Sequence, residues 1–239
     1  MNEIQVAQIR DMIQQATRFL MMYHFALKEM ETKIDILQEE FQMLHDYNPI
    51  EHVKTRVKSV ESLVSKIRRK GIRARNFDEI RKEIKDIAGV RITCSFLSDI
   101  YKVSEMLSRQ DDLTVLEVKD YIKHPKPNGY RSLHMIVEVP VFMSDRCERV
   151  NVEVQIRTIA QDFWASLEHK IFYKYDGEVP ALMLRDLKEA AETAAMLDEK
   201  MEFLHNEIIE IKKDNPPDFG QDIAQLITGR AGSIPAALL

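Results

Sequence analysis

Asn151-Val152-Glu153-Val154-Gln155-Ile156-Arg157-Thr158 alternates without a fault. Successive side chains of a strand leave on opposite faces, so Val152, Val154 and Ile156 share one face and Asn151, Glu153, Gln155 and Arg157 the other. The segment predicts a strand with one apolar side. Its other side carries a carboxylate, an amide and a guanidinium in one row, about 7 Å apart at strand rise. An ordinary solvated face mixes Lys, Thr, Ser and Glu. Whether this row is a wet face or a site depends on what the rest of the chain brings to it.

Upstream, residues 130–139 predict the hairpin partner of this strand. Leu133, Met135, Val137 and Val139 would point inward, and Tyr130 and His134 would share the other face. The preceding loop, residues 123–129, holds two prolines and an Asn-Gly pair, which preclude regular structure. Before it come a strand over 113–121, a helix over 98–110 and a strand over 90–97, the last entered through Asp86-Ile87-Ala88-Gly89. A short helix is expected over 77–85.

Residues 50–70 read as one helix with Val53, Val57, Val60, Val64 and Ile67 as its buried stripe. Its opposite side would carry Lys58, Ser59, Ser62, Lys66 and Arg69, with Arg56 at the border. Small hydroxyls among long cations let a ligand come close while the cations reach around it. Residues 3–46 contain neither Gly nor Pro and predict a long helix. Its Met21–Phe25 cluster is apolar most of the way round and reads as buried, against another subunit.

Downstream, a helix carries Ile159, Phe163, Leu167 and Ile171 at spacing four, together with Trp164, Glu168, His169 and Lys174. Gly177 and Pro180 interrupt it. A long acidic amphipathic helix is expected over 181–213. The order α-α-(α)-β-α-β-β-β-α-α implies an α+β fold. It would be a mixed sheet of about four to five strands, with helices on one face and a ligand surface on the other. The expected organisation is a helical extension over 1–48, a catalytic domain over 49–176, an oligomerisation helix over 177–213 and a flexible tail over 214–239.

Composition narrows the classes. The 239 residues are 45% apolar and carry a net charge of −5, which argues against a general nucleic-acid binder. Residues 51–91 hold 13 Lys/Arg against 6 Asp/Glu, whereas 176–214 hold 5 against 11. A basic middle inside an acidic chain points to a local anionic ligand. No long uncharged apolar run exists and no secretory leader is visible, so no membrane span is expected. With Cys94 and Cys147 as the only cysteines, a reduced cytoplasmic protein is the simplest reading.

Asp86 and Glu153 are the carboxylates that stand out. Two oxygen ligands on separate elements are what Mg²⁺ uses when phosphates and waters complete its shell. Lys58, Lys66, Arg69, Arg91 and Arg157 suit a polyphosphate, and Tyr130 offers a flat surface for a base. Together they favour phosphoryl-type transfer, where catalysis is mainly positioning and charge neutralisation. The glycines form no Walker loop, so this would be a non-P-loop transferase. His45-Asp46 alone makes no metal centre, and no Cys/His zinc spacing or nucleophile elbow appears.

At this point the residues carry a resemblance. Asp86-Ile87-Ala88-Gly89-Val90-Arg91, residues 128–134 (Asn-Gly-Tyr-Arg-Ser-Leu-His), residues 153–158 (Glu-Val-Gln-Ile-Arg-Thr) and residues 164–170 (Trp-Ala-Ser-Leu-Glu-His-Lys) resemble the synthetase domain of RelA/SpoT-type alarmone enzymes. Arg56-Val57-Lys58-Ser59, with Ser62 and Lys66, resembles the ATP-binding helix of that family. The resemblance covers about residues 50–175, and the flanking helices are similar to the synthetase-only small alarmone synthetases of RelP and RelQ type.

The resemblance implies transfer of the β,γ-pyrophosphate of ATP to the 3′-hydroxyl of GDP or GTP, giving ppGpp or pppGpp and AMP. By the same carry-over, Arg56 and Arg91 would sandwich adenine. Lys58, Lys66 and Arg69 would hold ATP phosphates, with Ser62 lining that pocket. Asp86 and Glu153 would bind Mg²⁺, and Glu153 would be the base or orienter for the 3′-hydroxyl. Tyr130 would stack on guanine, with Lys126, His134, Gln155, Arg157, His169 and Lys174 bounding the acceptor pocket. A homotetramer is implied, with no membrane and no nucleic acid required. Two rivals stand beside this reading: a toxin that pyrophosphorylates the tRNA 3′ end, and an inactive nucleotide- or RNA-binding module. Asn151 has no assigned role.

Overall fold

The computed structural model describes residues 3–45, 47–74, 76–172 and 179–214; the side chains of 3–9 and 172 are outside that description. Asp46, Lys174 and the expected tail after Asp214 therefore lie outside the described residues. The chain divides into two units, residues 1–199 and 200–239. In the second, the described part is helical.

The elements are α1 (Glu3–Leu44), β1 (Ile50–Val57), α2 (Val60–Lys70), α3 (Phe77–Glu83), β2 (Ala88–Cys94) and α4 (Leu97–Ser108), then β3 (Thr114–Asp120), β4 (Leu133–Phe142), β5 (Cys147–Thr158), α5 (Ile159–Phe172) and α6 (Ala181–Asp214). The sheet has five strands in the order β1-β2-β5-β4-β3. Only β2 and β5 run parallel; the other neighbours are antiparallel. The α+β mixed sheet and the β4–β5 hairpin are as the alternation predicts.

One element differs from expectation. The segment 50–70 is a strand followed by a helix, not a single helix. A bulge between Ile50 and His52 shifts the pairing of β1 with β2. Ile50 faces the core before the bulge, and Val53, Thr55 and Val57 face it afterwards, opposite Ile92, Val90 and Ala88. The one-residue slip reverses the parity of the strand. It leaves apolar residues at 50, 53 and 57, a spacing that imitates a helix. Val60 and Val64, expected in the buried stripe, are exposed; Leu63 is the buried residue of α2. Ser59 is not a free hydroxyl on a helix face but the N-cap, its Oγ accepting from the Ser62 N–H at 3.2 Å. Gly71 closes the helix in the left-handed conformation at φ 64°.

The apolar face of the row behaves as its pattern requires. Val152, Val154 and Ile156 are fully buried, in one core with Val90, Ile92, Met135 and Val137. α1 covers that core with Met22, Tyr23, Ala26, Met30 and Ile34. The Met21–Phe25 cluster thus packs against this chain's own sheet. The large aliphatic ones, Met22, Met30 and Ile34, contribute about 1.5–3 kcal/mol each when fully buried. α4 adds Ile100, Val103 and Leu107 to the same core. The opposite face carries Lys54, Arg56, Gly89, Arg91, His134, Glu153 and Gln155 in cross-strand register.

A second, small core lies at the end of this face. Trp164 and Ala165 of α5 pack with Ala191 of α6, with Tyr130, Leu187 and Ala194 against them. The Trp164 indole donates to the Leu187 carbonyl at 3.0 Å. On α5, Ile159, Phe163, Leu167 and Ile171 are all exposed.

Candidate active site

Two clefts open on the loaded face, and Glu153 lines both. The first has about 230 Å³ of accessible space and is walled by Lys54, Thr55, Arg56, Asp86, Arg91, Glu153 and Gln155. The second, about 150 Å³, is walled by Glu117, Lys119, Tyr121, Lys126, His134 and Glu153. β5 therefore forms the divide between a cleft walled by Lys54, Arg56 and Arg91 and one walled by Tyr121 and His134 with Lys119 and Lys126; Tyr130, Lys58 and Lys66 stand close by but line neither.

At the first cleft, Asp86 sits just before β2, where the chain enters the sheet. Lys58 reaches its Oδ2 at 2.9 Å and its carbonyl at 3.0 Å, and Lys66 forms a short ion pair with the same oxygen. Burial by itself would push the Asp86 carboxyl up, but Lys66 and Lys58 outweigh it and hold it below the usual range. Lys58 lies in the link between β1 and α2, and Lys66 on α2. The break in the mispredicted helix is what lets both converge on one carboxylate. Ser62 and Arg69 are exposed on α2 and line neither cleft.

Glu153 belongs to a closed ring of contacts. Gln155 Nε2 donates to its Oε2 at 2.8 Å, and His134 Nδ1 stands 3.4 Å from its Oε1. His134 Nε2 meets the Tyr130 hydroxyl at 2.8 Å. Arg157 donates through one terminal nitrogen to that hydroxyl at 3.0 Å and to Gln155 Oε1 at 2.5 Å. With the Tyr130 hydroxyl donating to Nε2, the imidazole keeps its proton on Nδ1, facing Glu153. Burial pushes Glu153 up, yet His134 and Gln155 bring it below the ordinary glutamate range. Its carboxyl is therefore ionised at neutral pH. Burial raises the Tyr130 phenol, only partly opposed by Arg157.

The loop 123–129 folds back on this ring. Lys126 Nζ lies 4.6 Å from the Tyr130 ring centroid and 4.7 Å from that of Tyr121. Tyr121 meets His134 edge-on at 5.1 Å. Arg157 is 2% exposed and stands behind the row rather than on the wall of either cleft. His169 is exposed on α5 and lines neither cleft, and Asn151, paired across from Glu138, lines neither.

Several residues of the site carry no pattern in the sequence that marks them. Lys54 shares a face with Arg56 only once the segment is known to be a strand rather than a helix. Tyr121 carries no local signal; the fold brings it to His134. Asp162, in the first turn of α5, forms an ion pair with Arg91 at 3.2 Å and accepts from Arg157 at 3.4 Å.

Comparison with known proteins fits this geometry. Residues 55–178 match the sequence region described as found in RelA / SpoT proteins. The chain belongs to the RelA/SpoT family. Among RelA/SpoT relatives, GTP pyrophosphokinase YwaC of Bacillus subtilis is 54% identical over 189 residues, which cover 79% of this chain and 90% of that protein. The crystal structure of small alarmone synthetase 1 from Bacillus subtilis bound to its product pppGpp superposes with a TM-score of 0.76 at 41% identity, covering 82% of this chain and 98% of that one. A structure of the same synthetase bound to AMPCPP gives a TM-score of 0.70 at 38% identity, covering 82% and 99%. The RelA/SpoT match includes both carboxylates, Asp86 and Glu153, and every wall of the two clefts except Lys54.

Proposed function

We propose that this chain is a GTP pyrophosphokinase that transfers the β,γ-pyrophosphate of ATP to the 3′-hydroxyl of GDP or GTP. The observation that carries this is the position of Glu153 as the common wall of two unlike clefts. Group transfer between two nucleotides needs the attacking oxygen and the phosphorus about 3–3.5 Å apart, with a base beside the oxygen. A carboxylate on the divide between a donor and an acceptor cleft meets that need. The close relatives are named GTP pyrophosphokinases, and a related synthetase was crystallised with pppGpp.

In this reading ATP occupies the arginine-rich cleft. Arg56 and Arg91 flank its adenine, and Lys58, Lys66 and Arg69 serve its phosphates, near Ser62. The acceptor guanine lies on Tyr130, with Lys126, His134, Gln155, Arg157 and His169 around it. Glu153 takes the 3′-hydroxyl proton as that oxygen attacks the β-phosphorus; the bond from the β-phosphorus to the bridging oxygen breaks, and AMP leaves. Gln155 and His134 aim the carboxylate, and their hydrogen bonds keep it ionised and ready to accept.

Asp86 and Glu153 both line the donor cleft and supply hard oxygen donors, and each feels the other's charge. Among the described residues no three His, Cys, Asp or Glu side chains cluster as a metal cage. That donor set fits Mg²⁺ completed by phosphate and water, which when bound neutralises charge on the transferred group. We also read the exposed apolar stripes of α5 and α6 as the surfaces of a homotetramer in a reducing cytoplasm; light scattering that returned a monomer mass would refute the assembly. The activity is tested by incubating the protein with ATP, Mg²⁺ and GDP or GTP. AMP plus a 3′-pyrophosphorylated guanosine nucleotide is expected. Product formed only when tRNA is supplied, or no product, would refute it.

A further inference from the structure

Asp162 touches neither cleft, yet one of its oxygens is shared between them. Arg91, a wall of the donor cleft, reaches Oδ1 at 3.2 Å, and Arg157, behind the acceptor side, reaches the same atom at 3.4 Å. Charge-assisted N–H···O bonds settle at about 2.7–2.9 Å. A carboxylate oxygen has two lone pairs and can serve two donors, but here both contacts are long and the two cations repel each other.

The partners are unequal. The Arg91 side chain is 31% exposed, whereas that of Arg157 is 3% exposed. Arg157 cannot leave its place; Arg91 can turn to an anionic or aromatic ligand in its cleft. Arg157 in turn holds both Tyr130 and Gln155, and through Gln155 it bears on Glu153. We infer that Asp162 is a positioning residue that couples the two nucleotide subsites. A donor that draws Arg91 away leaves the carboxylate wholly to Arg157. That bond shortens, the ring around Tyr130 and Glu153 stiffens, and the acceptor meets a wall already set. Coupling of this kind is reciprocal, so the acceptor must favour the donor by the same factor. The inference rests on the two-nucleotide reading above.

The experiment is calorimetric titration of the full chain with Mg²⁺ present, using AMPCPP, whose α,β-methylene link prevents transfer, and GDP. Each is titrated alone and with the other saturating. In the wild type, each nucleotide is expected to tighten the other about five-fold or more. In Asp162→Asn, which keeps shape and loses charge, the factor should fall close to one while each nucleotide still binds alone; Asp162→Glu should restore part of it. Asp162→Ser serves the same comparison if the Asn variant folds poorly. Undiminished coupling in the neutral variant, no coupling in the wild type, or equal loss in Asp162→Glu overturns the inference while leaving the site reading intact. Failure of the wild type to bind either nucleotide overturns both.

Discussion

Gly129 sits where the acceptor loop meets α6, and its replacement by alanine is the sharpest test of how that loop is held. Its φ is +89°, a conformation that L side chains avoid at a cost of about 1–2 kcal/mol. A Cβ there would lie 2.5 Å from the Cβ of Ala191, which is a stub on a helix and cannot swing aside. Ordinary carbon contacts need about 3.5–4.0 Å, so the loop must retreat by about 1 Å. Tyr130 is the next residue, and a 1 Å misplacement of a positioning group can cost about 100-fold in rate. We expect Gly129→Ala to lower kcat/KM for GDP about 10- to 100-fold, with KM for ATP nearly unchanged. The melting temperature should fall by about 2–8 °C, from the conformational cost alone. Initial rates of AMP release measure this, with each nucleotide varied at saturating levels of the other. Adding Ala191→Gly should recover most of the kinetic loss, since it removes the overlap, but not the melting temperature. Unchanged acceptor kinetics, or an equal rise in KM for ATP, would refute the loop-backing argument.

Glu153→Gln should keep fold and nucleotide binding but lower kcat by about 100- to 10,000-fold, the span of a lost general base; near-normal product formation would remove Glu153 from the mechanism. Tyr130→Ala should weaken GDP more than ATP in equilibrium binding, and equal weakening of both would count against stacking on the acceptor base. Asp198 is buried with the Thr158 hydroxyl donating to it at 2.6 Å, and burial pushes its carboxyl up to about 6. Its folded pKa lies above the unfolded value, so the protonated form favours the native state, and stability is lost as pH rises from about 4 through about 6. That loss amounts to at most about 3 kcal/mol. Asp198→Asn should therefore flatten the melting curve against pH between 4 and 7 and stabilise the protein at pH 7.5. The same slope in the variant would show that another group causes it.

Much of this was legible because the residues concerned sit in regular pattern. β5 alternates over its central span with one face buried, so the placement of Glu153 and Gln155 followed from period two alone. The strand expected from residue 130 begins only at Leu133, so Tyr130 precedes it and reaches His134 from the end of the loop rather than by period two. The segment 50–70 failed for a local reason: a bulge that no side-chain pattern announces changed the parity of β1. The cap Ser59 then looked like a ligand hydroxyl on a helix face. Lys58 and Lys66 still stand out, because a run of cations with Glu61 as its one acidic neighbour is visible whatever the backbone does. Asp162 and Tyr121 were missed because their importance lies in contacts that exist only after β2, β5 and α5 are assembled.

Of the residues that no sequence pattern marks, Lys54 walls the donor cleft, while the others fix another group. Asp162 fixes Arg91 and Arg157, Tyr121 packs against His134, and Ala191 backs Gly129. The first half of α6, which reads in the sequence as an appended amphipathic helix, is bound into the catalytic unit at three points. These are Trp164 to the Leu187 carbonyl, Thr158 to Asp198, and Gly129 against Ala191. All three anchor points adjoin the acceptor side: the ends of the loop and of β5, and the turn of α5 that follows. The donor side relies instead on Asp86 and its two lysines, held by the sheet and α2. Disturbing α6 in this half should therefore be felt first by the guanosine nucleotide and only afterwards by ATP.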